Sequence, residues 1–328
     1  MLLVIILHIN AHYMGFSGTN ELTTNIESLI NVLTRVSVPC FVMLSGAFLL
    51  NKEKNKNFRV FYSHAFYKTT IPFIAVSILL LSFSFVKVII NRGDLLAILK
   101  ALLIGDYYNL WYMFMLLGLY FFTPIIIIVK ERISSKAFGV IAFIWLAFSV
   151  LFQSFTTYLI SYSFGVVFAY MGYFMVGNVL YNSVKKKRNG WIYILTSIGL
   201  LFAAFFIRQI YHISIYSFSP YASFFSPLVV ISSVLFFIGY SKINLKISFG
   251  KLPIYTFYIY LFHTAVYEMV LLFFKNKILI NPLINIIMVS IITFVVSLFL
   301  AVFFYYVQVF IYKKFNINNK IQRLFKVV

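Results

Sequence analysis

LINIIMVSIITFVVSLFLAVFFYYVQVFIY, running from Leu283 to Tyr312, contains no charged side chain. As an α-helix rising 1.5 Å per residue it is longer than the hydrocarbon layer of a bilayer, which about twenty residues suffice to cross. Its apolar residues fall on every face, as suits a helix surrounded by lipid or by other apolar helices. The period-two alternation of a membrane-barrel strand is missing.

Nine further apolar runs lie upstream, at 1–14, 29–50, 70–90, 109–129, 137–152, 164–182, 191–211, 222–240 and 252–274. The chain is 62% hydrophobic, 20% aromatic and 10% charged, with a mean hydropathy of +0.97. A soluble domain is about 45–50% apolar and about 25% charged, and a water-exposed surface could not be built from this composition. The expected fold is all-α: a polytopic membrane protein of about ten transmembrane helices. No repeat, linker or soluble domain interrupts residues 1–312, which read as one transmembrane domain, with 313–328 as a basic cytoplasmic tail.

The net charge of +20 raises the question of nucleic acid. The basic residues are dispersed in short clusters between helix-length apolar spans, not gathered on one face, so no nucleic-acid partner is expected. They sort instead by loop. Nineteen of the 27 Lys and Arg follow the even-numbered spans, among them Lys52, Lys54, Lys56 and Arg59, the run Lys185 to Arg188, and Lys313 and Lys314. Positive charge stays cytoplasmic, so both termini are expected inside. The first span starts abruptly: Met1 lies within the apolar stretch without a basic flank, and residues 1–14 reach only ~21 Å as a helix. The first helix is therefore expected to be incomplete at its start. A single cysteine, Cys40, excludes an internal disulfide and any multi-cysteine metal site.

Ionisable groups inside a bilayer are costly, and each is a candidate site. His8 ends the run Leu2-Leu3-Val4-Ile5-Ile6-Leu7, and His12 follows at i+4 on the same helical face. Glu27 lies just before the second span and Arg35 enters it, so His8, His12, Glu27 and Arg35 are expected to converge in the outer half of the membrane. Histidine is suited to general-base work near neutral pH, and arginine can steady an oxyanion or an acidic sugar substituent. His8 and Arg35 are the catalytic candidates. No third ligand accompanies the two histidines, so no metal is expected. His263, inside the ninth span, invites either a second catalytic role or a structural hydrogen bond. Ser45 and Gly46 suit close helix packing. Asn109 and Trp111 read as interfacial residues, Trp111 with a face that could stack on a sugar. Lys87 and Arg208 read as side chains that reach for the interface.

These residues carry a resemblance. The chain resembles the acyltransferase-3 family of bacterial membrane O-acyltransferases over nearly its whole length, and most closely the branch that acetylates surface polysaccharides. The matching pieces are Val4 to His8, Val38-Pro39-Cys40-Phe41 through Ser45-Gly46, Leu110-Trp111-Tyr112 with Tyr120 and Pro124, and Ile254-Tyr255 through His263. The resemblance implies transfer of an acyl group, usually acetyl, from cytoplasmic acyl-CoA to a hydroxyl of a cell-surface polysaccharide or lipid-linked sugar. Acyl-CoA is then a donor substrate, and no bound cofactor is implied. His8 takes the place of the family's essential histidine, as general base or acyl shuttle. His12, Glu27, Ser45, Asn109, Trp111 and His263 become candidates for support or acceptor binding. Arg59, His64 and Lys68, on the expected cytoplasmic side, become candidates for the donor's phosphates. The chain departs from the family twice. An Asp and an Arg usual upstream of the histidine are unmatched, and Ala65 stands where a second basic residue beside Lys68 is usual. A polysaccharide exporter and an inactive relative shortened at the first helix are the alternative readings.

Overall fold

The computed structural model describes residues 1–13, 21–91, 110–155, 164–183, 189–211, 223–243, 250–274 and 281–315. Among them the α-helices are α1 (Leu2–Tyr13), α2 (Glu21–Thr34), α3 (Ser37–Leu49), α4 (Phe58–Ala65), α5 (Ile71–Asn91), α6 (Trp111–Arg132), α7 (Ser135–Phe155), α8 (Phe164–Ser183), α9 (Gly190–Ile210), α10 (Pro227–Lys242), α11 (Leu252–Phe274) and α12 (Pro282–Lys314). A two-residue turn at Arg35-Val36 joins α2 to α3, and a π-helical turn, Phe66–Thr70, joins α4 to α5. The described residues thus form ten helical rods, one for each apolar run of the sequence.

The fold is all-α. Six of these rods are long and apolar enough to cross a membrane: Glu21–Leu49, Phe58–Ser82, Trp111–Arg132, Gly190–Ile210, Leu252–Phe273 and Leu283–Lys314. Leu2–Tyr13, Ser135–Leu151 and Pro227–Lys242 are shorter apolar helices. Large apolar side chains face outward along them, with Phe299 72%, Ile210 70% and Leu195 65% exposed. Lipid, not water, is the solvent that tolerates such a surface. The protein is a multi-pass membrane protein.

Two rods begin earlier than their hydropathy suggests. The second starts at Glu21, not at 29, because α2 is polar in sequence but buries Glu27, Ser28, Asn31 and Thr34 inside the bundle. Glu27 therefore lies within the helix and is fully buried, rather than preceding the span. The third starts at Phe58, where the Asn57 side chain accepts the Val60 amide at 3.0 Å and caps α4. That short helix buries Val60, Phe61 and Ala65 and leaves Arg59 exposed. At the far end, α12 starts at Pro282, is capped by Asn281 and runs on to Lys314.

The interior divides into two main cores. One gathers Val42 and Met43 of α3, Leu119 of α6, Ala142 of α7 and Phe174 of α8. The other gathers Ile5 and Ile9 of α1, Met113 and Leu116 of α6, Ile259 and Phe262 of α11 and Val289 of α12. α6 serves both, and Tyr112 packs against both. A smaller cluster joins Val32 and Val36 to Leu201, Ala204 and Val229.

α3 and α8 touch backbone to backbone. A Cβ on Gly46 would lie 1.8 Å from the Phe174 carbonyl oxygen, and one on Gly177 would lie 2.0 Å from that of Met43. Gly46→Ala and Gly177→Ala should each destabilise the detergent-solubilised protein by about 1–3 kcal/mol or more, since a carbonyl cannot rotate aside as a side chain can. Gly199 has open space around it, so Gly199→Ala should be neutral or gain up to about 1 kcal/mol of helix propensity. Thermal melting of the three variants measures this, and equal melting points would mean that the α3–α8 contact is absent.

Candidate functional site

Pro39 sets the geometry of the second rod. Its ring lacks an N–H and would clash with the carbonyl four residues earlier, that of Arg35, if one helix ran straight through. The chain turns at Arg35-Val36 instead, and Pro39 falls in the first turn of α3, where a missing donor costs little. Arg35 is thereby held at a break in the rod. Its Nε and Nη2 donate to Asn31 Oδ1 at 3.1 and 3.0 Å, and its guanidinium lies 5.0 Å from the centre of the Phe224 ring. Among the described residues no carboxylate is within ion-pair distance of it.

His8 lines a cavity of about 200 Å³ at the seam between the two cores. Met1 and Val4 continue its wall along α1, with Val38 and Phe41 from α3, Trp111, Tyr112, Met113 and Leu116 from α6, and Pro253, Thr256, Phe257 and Tyr260 from α11. The wall is predominantly apolar, and its polar groups are concentrated around His8, Tyr112 and Tyr260. The His8 and His263 rings are 5.4 Å apart, Tyr260 lies 5.4 Å beyond His263, and Tyr112 lies 5.1 Å from Tyr260. His263 is buried and committed to its own helix: Nδ1 contacts the Tyr260 carbonyl, which can only accept. The proton therefore sits on Nδ1, and Nε2 accepts from the Thr264 hydroxyl at 3.3 Å.

The other candidates fall in several places. Trp111 lines the cavity and packs on Tyr170 and Phe224, which links it to Arg35 through one ring. Arg35 does not line the cavity but is within electrostatic range of His8. Ser45 lies beside the Tyr112 phenol and donates to the Phe41 carbonyl at 3.0 Å. His12 is a turn away, edge-on to Tyr13 and off the cavity wall. Glu27 is buried against α1, where its carbonyl accepts from Asn10 Nδ2 at 2.9 Å. Of the four residues expected to converge, His8 lines the cavity, Arg35 is within electrostatic range of it, and Glu27 packs against α1 beside Asn10. Asn109 lies outside the described residues. Arg208 does not reach for the interface: it is 2% exposed, on the α9 face that packs against α2, next to Gln209, whose amide donates to Asn25 Oδ1 at 2.7 Å.

A second hollow, about 520 Å³, lies between α4 with its π turn and α6, lined by Tyr62, Ser63, Phe66, Tyr67, Thr70, Leu117, Tyr120 and Phe121, among others. The Tyr62 phenol donates to the Phe121 carbonyl at 2.7 Å, one turn before Pro124. Lys68, on the π turn, and Lys52 and Lys54, from the preceding loop, are all within electrostatic range of His64. The sequence offered Arg59, His64 and Lys68; the fold adds Lys52 and Lys54, which chain distance alone kept apart. Among the described residues no group of three or more His, Cys, Asp or Glu could hold a metal ion.

A family model described as an acyltransferase domain matches residues 1–306. No curated protein and no solved structure matches the chain.

The π turn is clamped from α12. The Tyr67 carbonyl accepts from the Tyr312 hydroxyl and from Gln308 Nε2, and Gln308 Oε1 in turn accepts from the Tyr258 hydroxyl. Tyr312→Phe with Gln308→Leu should strand that carbonyl at a cost of about 1–3 kcal/mol. Faster amide exchange confined to residues 66–70 is the expected signature. Unchanged exchange there would mean that the clamp does not hold the turn.

Proposed function

Because the chain belongs to the acyltransferase-3 family, we propose that it moves an acyl group from cytoplasmic acyl-CoA to a hydroxyl of a cell-surface polysaccharide or lipid-linked sugar. The observation that carries this reading is the His8 imidazole on the wall of a predominantly apolar cavity, from which a bound thioester would displace water. A nitrogen of His8 takes the proton of the acceptor hydroxyl as its oxygen attacks the thioester carbonyl carbon. The carbonyl oxygen becomes an oxyanion, within reach of the Tyr112 and Tyr260 phenols and in the field of Arg35. Collapse of this intermediate breaks the C–S bond, and His8 returns its proton to the departing thiolate. The products are an ester and free CoA thiol.

Support for the donor side comes from Lys52, Lys54 and Lys68, all within electrostatic range of His64, and from the exposed Arg59 on the same short helix as His64. Lysine and arginine bind phosphate through charge-assisted hydrogen bonds, and the hydroxyls of Tyr62, Ser63 and Thr70 suit the amides of a pantetheine arm. On the acceptor side, the Trp111 indole offers a face for a sugar ring. The acyl group named by the resemblance is acetyl.

Membranes containing the protein, given radiolabelled acetyl-CoA, should label their glycan fraction. His8→Ala should lower the rate by roughly 10²–10⁴-fold, the usual share of a general base, whereas His12→Ala should stay within a few-fold of the parent. Lys68→Ala with Arg59→Ala should raise KM for the donor with little change in kcat, the mark of lost binding that is uniform along the reaction. Labelling that survives His8→Ala at the parental rate would overturn the mechanism.

A further inference from the structure

Arg35 stands midway along the rod Glu21–Leu49, about 21 Å from either end. At that depth an arginine without a counter-charge is costly and marks a site. Its hydrogen bonds are incomplete. Nε and Nη2 both donate to the single Oδ1 of Asn31, whereas a guanidinium carries five N–H donors in a planar fork. The other edge, Nη1 with the second N–H of Nη2, has no acceptor among the described residues, and the side chain is only partly buried. Arg208 lies within electrostatic range and adds positive potential.

The break beside Arg35 adds further donors. The Arg35 amide donates to the Val32 carbonyl at 3.2 Å, and the next backbone bond is that of the Cys40 amide to the Val36 carbonyl at 3.1 Å. Among the described residues the amides of Val36, Ser37 and Val38 reach no carbonyl, and no side chain caps α3. The Thr34 hydroxyl donates to the Ile30 and Asn31 carbonyls and caps none of these amides. Ser37, 5% exposed, has a hydroxyl oxygen with no partner among the described residues. Broken membrane helices present such an N-terminus to a substrate carboxylate, and the helix dipole favours negative charge there.

Depth and surroundings say which anion fits. The phosphate of a polyprenyl carrier lies with the headgroups, outside about 30 Å of hydrocarbon, far from the middle of the rod. A carboxylate carried on a sugar ring enters with the ring, and the planar fork of arginine matches its two oxygens. The Phe224 ring lies 5.0 Å from the guanidinium and 6.3 Å from Trp111. Trp111 lines the His8 cavity together with Val38, the neighbour of Ser37. A sugar ring against Trp111 is thereby near both the cation and His8, which are within electrostatic range of each other.

Resting on the acyl-transfer reading above, we propose that Arg35 and the first turn of α3 bind the carboxylate of an acidic sugar, so that the acceptor is a uronate-containing glycan. The free edge of the guanidinium takes the two carboxylate oxygens, the Ser37 hydroxyl donates to one of them, and Arg208 supplies longer-range attraction. With the carboxylate in place, the oxyanion of the reaction depends on the Tyr112 and Tyr260 phenols.

The test uses the full chain in nanodiscs, with methyl glucuronide, the neutral methyl glucoside and inorganic phosphate as probes. Melting without acyl-CoA reads binding, and transfer of labelled acetyl from acetyl-CoA reads turnover. The glucuronide should raise the melting temperature and exceed the glucoside about 10–100-fold in kcat/KM, the worth of hydrogen bonds to a charged group. Arg35→Gln should abolish that preference, Arg35→Lys should keep part of it, and Ser37→Ala should narrow it severalfold. Loss of folded protein cannot change such a ratio. A glucuronide that does not stabilise the protein, or a preference unmoved by Arg35→Gln, would overturn the carboxylate site and leave the acyltransferase reading standing. Stabilisation by phosphate and not by the glucuronide, lost in Arg35→Gln, would overturn it in favour of a phosphorylated acceptor. Arg35-dependent stabilisation by the glucuronide with no transfer to any acceptor would uphold the carboxylate site and overturn the acyl transfer.

Discussion

Within a bilayer, a backbone carbonyl or a side-chain donor can be satisfied only by the protein itself. That constraint explains why the described chain is helical and where its irregularities lie. Serine and threonine inside the rods donate back one turn, as Thr123 does to the Leu119 carbonyl and Ser233 to that of Val229. The two breaks in otherwise continuous rods are both answered locally. At the Arg35-Val36 turn the Thr34 hydroxyl donates to the Ile30 and Asn31 carbonyls. At the π turn, α12 supplies the donors that the regular ladder no longer provides at Tyr67. Both breaks carry a cationic side chain, Arg35 at the first and Lys68 at the second.

The cavity follows from packing at the seam. α6 gives Met115 and Leu119 to one core and Met113 and Leu116 to the other. The unfilled volume falls beside Trp111 and Tyr112, where the aromatic residues at the start of α6 prop α1, α3 and α11 apart. The α3–α8 contact works the opposite way. Glycines at 46 and 177 let two backbones meet, which fixes α3 firmly enough for its first turn to form part of the cavity wall.

Much of this was legible in the sequence, because hydropathy reports the lipid-facing side of a helix directly. All ten apolar runs coincide with rods, and His8, found there as a charge-capable residue in an apolar run, does line a cavity. Two kinds of feature were not legible. Polar helix faces buried against protein look like loop in a hydropathy profile, which hid the start of α2 and placed Glu27 outside its helix. Arg208 misled for the same reason: a sequence shows that an arginine is near the end of a span, not whether its neighbours turn it inward. The second kind is convergence across rods. Nothing in the spacing of His8 and His263, or of Lys52, Lys54 and Lys68, shows that they meet.

The paired histidines show why neighbouring residues of one type need not share one role. The His263 ring lies 5.4 Å from that of His8. Yet its position one turn after Tyr260 commits Nδ1 to that carbonyl, and Thr264 occupies Nε2. A histidine with both nitrogens engaged cannot exchange a proton without breaking its own helix contacts. It can, however, present a fixed ring against which His8 packs, limiting the orientations of the imidazole that faces the cavity. His8, half-buried on α1, keeps its access to the open volume. The two rings thus differ in access: His263 is held within α11, and His8 faces the cavity.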